Sequence, residues 1–204
     1  PAVADDDAQR DAHRHAFAAR LEDLRRRVAA QPGVVSVTFV DRLPRTPRPE
    51  ARIELPGDAE RQAQAAAAGA DAPMRIATLA RIDPSCFDAL QTQVRAGRAF
   101  TAADFAPVPR VAIVDQGFVD QVLEGQNPVG QQVRFGPRRS DPASVPGPWM
   151  EIVGVVDDLG MGAPTRVERA AGLYLPSPPD ALSRTYLLAH LRGDPLAFAP
   201  DLRE

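Results

Sequence analysis

Between Phe87 and Asp158 the order of local signals leaves few ways to fold. GRAFTAADF (Gly97 to Phe105) carries a Gly-Arg turn, and Val111 to Val114 is a short buried strand pattern. Asp115 then stands as an N-cap ahead of an apolar helical face made by Phe118, Val119, Val122 and Leu123. A Gly/Asn/Pro turn from Gly125 to Gly130 leads into two more strand patterns, Gln131 to Phe135 and Glu151 to Val156. The four prolines of residues 137–148 make the link between them a loop. Short strands interleaved with a helix in this way, taken alone, give a mixed α/β domain and no chemistry.

The flanks agree. Asp5, Asp6 and Asp7 precede a helical pattern, where carboxylates favour the positive end of the helix dipole. Phe17, Leu21, Leu24 and Val28 form one apolar stripe, with Arg20, Asp23 and Arg27 elsewhere on the wheel, until Pro32-Gly33 ends the helix. A helix over Asp7 to Gln31 is long for a globular domain. Val34 to Val40 is β-branched and predicts a strand with Val35, Val37 and Phe39 on one face. Pro44, Pro47 and Pro49 predict a loop, and Ile53 with Leu55 a short strand stopped by Pro56-Gly57. Gln62 to Ala72 is read as either an exposed loop or a weak helix. Met74 to Ile82 predicts a strand, Asp83-Pro84 a short helix through Leu90, and Leu173 to Leu175 and Tyr186 to Leu191 the last two strands. Asp194-Pro195 starts a final helix.

Composition excludes more than it assigns. A net charge of −3 gives no basic field for nucleic acid, and all 24 basic residues are Arg. One cysteine, Cys86, rules out an internal disulfide framework and is read as a small buried hydrophobe. No run approaches the ~18 apolar residues that span a bilayer. The sequence begins at Pro1 without Met and ends at DLRE inside a helical pattern, so it is expected to be a segment of a longer membrane-embedded chain. Gly125 to Gly130 lacks the Lys-Ser/Thr of a phosphate loop. His13 and His15 point apart on a helix, and His190 has no Cys or second His nearby. Asp157-Asp158 ends a strand without a paired His, Lys or nucleophile. No catalytic residue, cofactor or metal is expected, and the chain is read as a non-enzyme.

Several of these segments together carry a resemblance. They are Pro84 and Phe87 in a turn; Gly97, Arg98 and Asp104 in a GR-x-F-T-x-x-D pattern; Asn127, Pro128 and Gly130 in an N-P-x-G turn; Gly154 in I-V-G-V-V; and Pro176 in a Y-x-P segment. In order and spacing they resemble the extracytoplasmic, periplasmic core domain of MacB-type and FtsX-like ABC transporter permeases. Ser85 and Cys86 depart from that pattern, in which Gly and an aromatic residue are usual.

The residues themselves suggest structural roles: Gly97 and Gly130 for backbone conformations that disfavour a side chain, and Arg98 paired with Asp104 to fix a loop. Trp149, Met150 and Met161 are candidates for contact with a hydrophobic substrate or a partner, against the plainer reading of a loop folded onto the core.

The resemblance implies a two-lobed α+β fold. Residues 1–83 and 181–204 would form a porter-like βαβ lobe, and residues 84–180 an inserted β-rich lobe. It implies a domain on the periplasmic or extracytoplasmic face of the inner membrane that couples cytoplasmic ATP hydrolysis to efflux or substrate hand-over. The implied partners are a cytoplasmic ABC ATPase (separate or fused), a second permease copy, and a periplasmic adaptor or hydrolase. The alternative it leaves open is a regulatory FtsX-like module that engages an extracytoplasmic partner such as a cell-wall hydrolase.

Overall fold

In the computed structural model, residues 2–43, 46, 49–70, 74–106, 108–137, 141, 144–160, 170–182 and 184–198 are described. The chain starts as one helix, α1 (Ala2–Ala29), and Gly33, at φ +87°, turns it into strand β1 (Val34–Val40). There follow β2 (Glu50–Glu54), α2 (Asp58–Ala67), β3 (Arg75–Ile82), α3 (Cys86–Ala89) and β4 (Val94–Gly97). Then come β5 (Val111–Asp115), α4 (Gln116–Gln121), β6 (Gln132–Phe135), β7 (Met150–Val156), β8 (Gly172–Pro176), β9 (Tyr186–Leu191) and α5 (Pro195–Phe198). This is a mixed, β-rich fold of the α+β class that the resemblance implies. The Ala/Gln tract is helical as far as Ala67, as the second half of α2, because those residues lose little on becoming helical even when they bury little; its last two residues, 71 and 72, lie outside the described residues. Strand β4 is an element for which the sequence predicts only a turn.

The sheet runs β2-β6-β7-β5-β8-β3-β1-β9, with β4 on β7 and an additional pairing of β2 with β3. That additional pairing closes six strands, β2, β6, β7, β5, β8 and β3, into a ring. Strand β3 makes this possible by changing neighbour along one edge. Its first half pairs with β2 (Ala51↔Ala77), and its last residue pairs with β1 (Val40↔Ile82). Likewise β7 pairs with β6 through Met150 and Glu151, then with β4 through Gly154 to Val156. A bulge between Ile152 and Gly154, where β5 continues without a gap, accompanies the change.

Side chains alternate across this ring as the pleat demands. One main core takes residues from every strand of it: Ile53, Ala77, Ala112 and Val114, Val133, Ile152 and Val155, Leu173 and Leu175. Phe118 and Val119 of α4, with Val122 and Leu123 just after it, join that core and stop the end of the ring where β5 finishes. The opposite faces of β3, β8, β5 and β7 make a second core with Cys86 and Phe87 of α3 and with Phe100. A third, small cluster of Leu21, Phe39 and Leu182 holds α1 against β1. The pairings β2–β6 and β3–β8 hydrogen-bond strands on the two sides of the expected boundary at residues 83 and 84.

Candidate functional site: the anchor of the long helix

Among the described side chains of α1, the buried ones lie between Leu21 and Val28. Leu21 and Val28 are buried, whereas Phe17 and Leu24, on the same predicted stripe, stay 38% and 39% exposed. The docked face is centred on Arg25, which lies between Leu21 and Val28 at helical spacing. Its guanidinium stands 5.0 Å from the centre of the Phe39 ring. It also donates to Asp83 Oδ2 at 2.6 Å and to the Ser85 hydroxyl at 3.2 Å.

Asp83 is fully buried, at the end of β3. Besides Arg25, its carboxylate accepts from the Thr38 hydroxyl, the Phe39 amide at 3.0 Å, and the Ser85 amide and hydroxyl at 2.9 Å each. The Val37 carbonyl lies 3.0 Å from the same Ser85 hydroxyl and shares its one hydrogen with Asp83. A buried charge is tolerable only when paired and saturated with hydrogen bonds, and Asp83 is both. Helix α1, strand β1 and the β3–α3 turn are therefore joined at one carboxylate. Sequence reading takes Asp83 only as a helix opener, because its partner lies 58 residues away and no local pattern reports such a pair.

Most of the motif residues gather on the neighbouring outer face. Phe87 stacks on Phe100 at 6.1 Å and meets the edge of Tyr174 at 5.6 Å, and Phe100 meets Phe105 at 6.1 Å. Gly97 pairs with Gly154, and the Arg98 amide donates to the Val153 carbonyl at 2.9 Å. Pro84, next to Asp83, is exposed, and Pro176 pairs with Ile82 at the end of β8. Arg98 grips Asp104 with two bonds of 2.7 and 3.1 Å, while Asp104 accepts from the Thr101 amide at 2.7 Å. The Asn127-Pro128-Gly130 turn lies apart from this cluster. There the Asn127 side chain accepts from the Val129 amide at 3.2 Å, and Gly130, at φ +86°, donates to Ile152 at 2.8 Å.

The hydrogen bond from Arg98, helped by those from Thr101, holds the Asp104 carboxyl down at about 2. A depressed carboxylate adds stability above its unfolded value and loses it as pH falls through the folded one. Arg98 is 46% exposed, so screening limits the pair to about 1 kcal/mol. Arg98→Ala should therefore lower the melting temperature at pH 7 by roughly 2–4 °C. The difference from the parent should shrink as pH falls through about 2, where Asp104 takes up its proton; a gap that persists below that would assign the effect to packing.

The sequence matches the profile of the MacB-like periplasmic core domain over residues 12–195. The chain belongs to this family. It is a periplasmic core domain of a MacB-like ABC transporter permease. Solved structures share its fold at low identity. The periplasmic region of MacB from Actinobacillus actinomycetemcomitans aligns with a TM-score of 0.54 and 15% identity, covering 87% of this chain and 68% of that one. The extracellular domain of the noncanonic ABC-type transporter YknZ from Gram-positive bacteria gives 0.50 and 16%, covering 84% and 72%. A domain of a putative permease protein from Porphyromonas gingivalis gives 0.50 and 17%, covering 85% and 70%. No curated protein sequence matches. Among the described residues no helix is long and apolar enough to cross a membrane.

Within this MacB-like core domain the remaining candidates are scattered. Met150 is a core residue at 2% exposure, and Trp149 is half-buried under the Arg134 guanidinium, 4.5 Å from its ring centre. Met161 lies outside the described residues. His13 and His15 are exposed on α1, and Asp157 pairs with Arg95 at 2.7 Å. Cys86 is buried at 1%.

Asp115 is the most perturbed carboxyl. It caps α4 by accepting from the Phe118 amide and also from the Gly172 amide, both at 2.9 Å, while its Oδ2 has no hydrogen-bond partner among the described residues. Burial, with Asp158 adding to it, pushes the carboxyl up to about 6 against the opposing pull of those amides. A raised carboxyl favours the fold below its unfolded value and loses that advantage as pH rises through the folded one. The shift from 3.8 to about 6 makes ionised Asp115 a burden of about 3 kcal/mol at neutral pH. Asp115→Asn retains one accepting oxygen and cannot ionise. Relative to the parent it should gain stability between pH 4 and pH 7, read as the difference of melting temperatures; a constant difference would show that Asp115 does not titrate there.

Proposed function

We propose that this domain is a lever through which cytoplasmic ATP hydrolysis moves structures outside the membrane. The observation that carries the reading is the Arg25–Asp83 joint, which fastens a 28-residue helix to the sheet at a buried charge. A helix held by apolar contacts alone can roll or slide. One held by a saturated carboxylate has a single register, because every alternative leaves a buried charge unpaired. Displacement of α1 along or across its axis is then delivered to β1 and β3 together.

On this reading the chain sits at the outer face of the inner membrane, α1 continues from a membrane helix, and α5 returns toward the next. The working assembly contains a cytoplasmic ABC ATPase and a second copy of the permease, with an adaptor as a further partner. Residues 1–83 with 181–204 receive the motion, residues 84–180 present it outward, and β3 is the strand both share. The output is efflux or hand-over of a substrate, with no covalent chemistry in the domain itself.

The test is complementation of a strain that lacks the parent permease. Arg25→Ala should leave the protein inserted and hydrolysing ATP yet fail to restore the deletion phenotype, while Arg25→Lys should restore part of it. Full restoration by Arg25→Ala would sink the lever reading.

A further inference from the structure

The two ends of the six-stranded ring are unlike. Helix α4 stops one of them. At the other, bounded by the start of β2 and the ends of β3 and β6, a cavity of about 800 Å³ opens. Its walls continue the main core outward: Ala51, Leu79 and Phe135 line it, and Leu79 and Phe135 also pack on that core. Val145, at the rim, is 89% exposed, unusual for an aliphatic side chain beside a cavity.

One guanidinium interrupts this apolar lining, that of Arg81 from β3, on the inward face it shares with Ala77 and Leu79, whereas Arg52 of β2 alternates with the inward Ala51 and Ile53 and is turned to the outer face. Arg81 follows Leu79 at strand spacing, pairs in register with Leu175, and is only partly exposed. It has no ion-pair partner among the described residues, so a cation is held at an apolar mouth without a carboxylate of its own. Arg52 is braced. Its Nη2 donates to Gln62 of α2 at 3.0 Å, and its stem lies over Gly136, where an added Cβ would come within 3.1 Å of it. Glu50, also at the rim, is on the same outer face of β2 as Arg52.

We infer that this mouth binds an amphiphile with one anionic head, a carboxylate, sulfate or phosphate, and an apolar tail. The apolar walls and the volume suit a tail, as in the mouths of other barrels. A planar guanidinium offers paired donors to a carboxylate or phosphate. A cationic head would meet Arg81 without compensation, and an uncharged one would leave Arg81 as it is. The inference does not depend on the lever reading: the mouth and the α1 anchor share no residue.

The test uses this chain with 11-(dansylamino)undecanoate, a fluorescent carboxylate with an apolar tail, titrated well below its micelle-forming concentration. Saturable one-to-one binding is expected, displaced by dodecanoate and not by dodecanol. Arg81→Ala should weaken binding by about tenfold, the loss of one charge-assisted contact. Val145→Asp, at a side chain too exposed to matter for folding, should weaken it as well by setting a like charge at the rim. Competition by phosphatidylglycerol vesicles would assign the head to bilayer lipid, and competition by dodecanoate alone would assign it to a free amphiphile; both uphold the site. Absence of saturable binding, displacement by dodecanol as good as by dodecanoate, or full affinity in both variants would overturn it.

Discussion

Asp83→Ala should destabilise this domain more than any other polar substitution, by about 4 kcal/mol. Five donors converge on that carboxylate, from Arg25, Thr38, Phe39 and twice from Ser85. Removing it strands the Phe39 amide in the core and leaves Arg25, whose side chain is 21% exposed, with the exposed Glu22 in place of its buried counter-charge. For a chain of this length the melting temperature should fall by roughly 8–16 °C. Arg25→Ala should cost less, since four of the five donors to Asp83 remain. The two substitutions should also be strongly non-additive, because each removes the same contact. Thermal melts of both single variants and the double variant check this ordering. A double variant equal to the sum of the singles would show that the residues do not act as a unit.

Gly97→Ala should be nearly as damaging, for a steric reason. Gly97 has φ +72°, and an added Cβ would stand 2.2 Å from the Val153 carbonyl oxygen. Its partner Gly154 is as confined, with an added Cβ 2.3 Å from the Arg98 carbonyl oxygen. In both cases the obstacle is backbone, which cannot turn aside as a side chain can. We expect about 3–5 kcal/mol for Gly97→Ala, left-handed strain and clash combined. Strand β4 would detach from β7 and uncover the Phe87, Phe100 and Tyr174 cluster. Gly125→Ala is the control: φ is +79° but nothing lies within 4 Å of its added Cβ, so about 1 kcal/mol is expected. Equal losses at Gly97 and Gly125 would mean that backbone conformation alone, and not close approach, explains Gly97.

The contrast between these sites explains how much was legible in the sequence. Local signals were read well: β-branched runs gave strands, Pro32-Gly33 ended α1, and Asp115 caps α4 with its carboxyl on the Phe118 amide. Gly97-Arg98 predicts a turn, but the short exposed strand that leads into it, β4, carries no alternation to betray it. Long-range relations were not legible. The stripe from Phe17 to Val28 predicts a docked apolar face, yet the helix meets the sheet through Arg25, whose partner is set by the fold and not by periodicity. Closure of the ring depends on β2 pairing on both edges, with β3 and with β6, and five residues of sequence cannot announce two partners. Arg81 reads as an ordinary polar strand position until that closure places it at the mouth of a cavity.

The most direct measurement is of distances in the whole permease with its ATPase in lipid nanodiscs, with and without bound ATP. Spin labels at Arg20 on α1 and at Gln132 on β6 report the helix against the sheet, and both positions are exposed. Cys86, at 1% exposure, stays unlabelled. Diluting labelled with unlabelled copies isolates the distance within one chain. The lever account predicts that the Arg20–Gln132 distance is the same in both nucleotide states, while the distance between the Arg20 labels of two copies changes. A helix that shifts against its own sheet when ATP binds would contradict it.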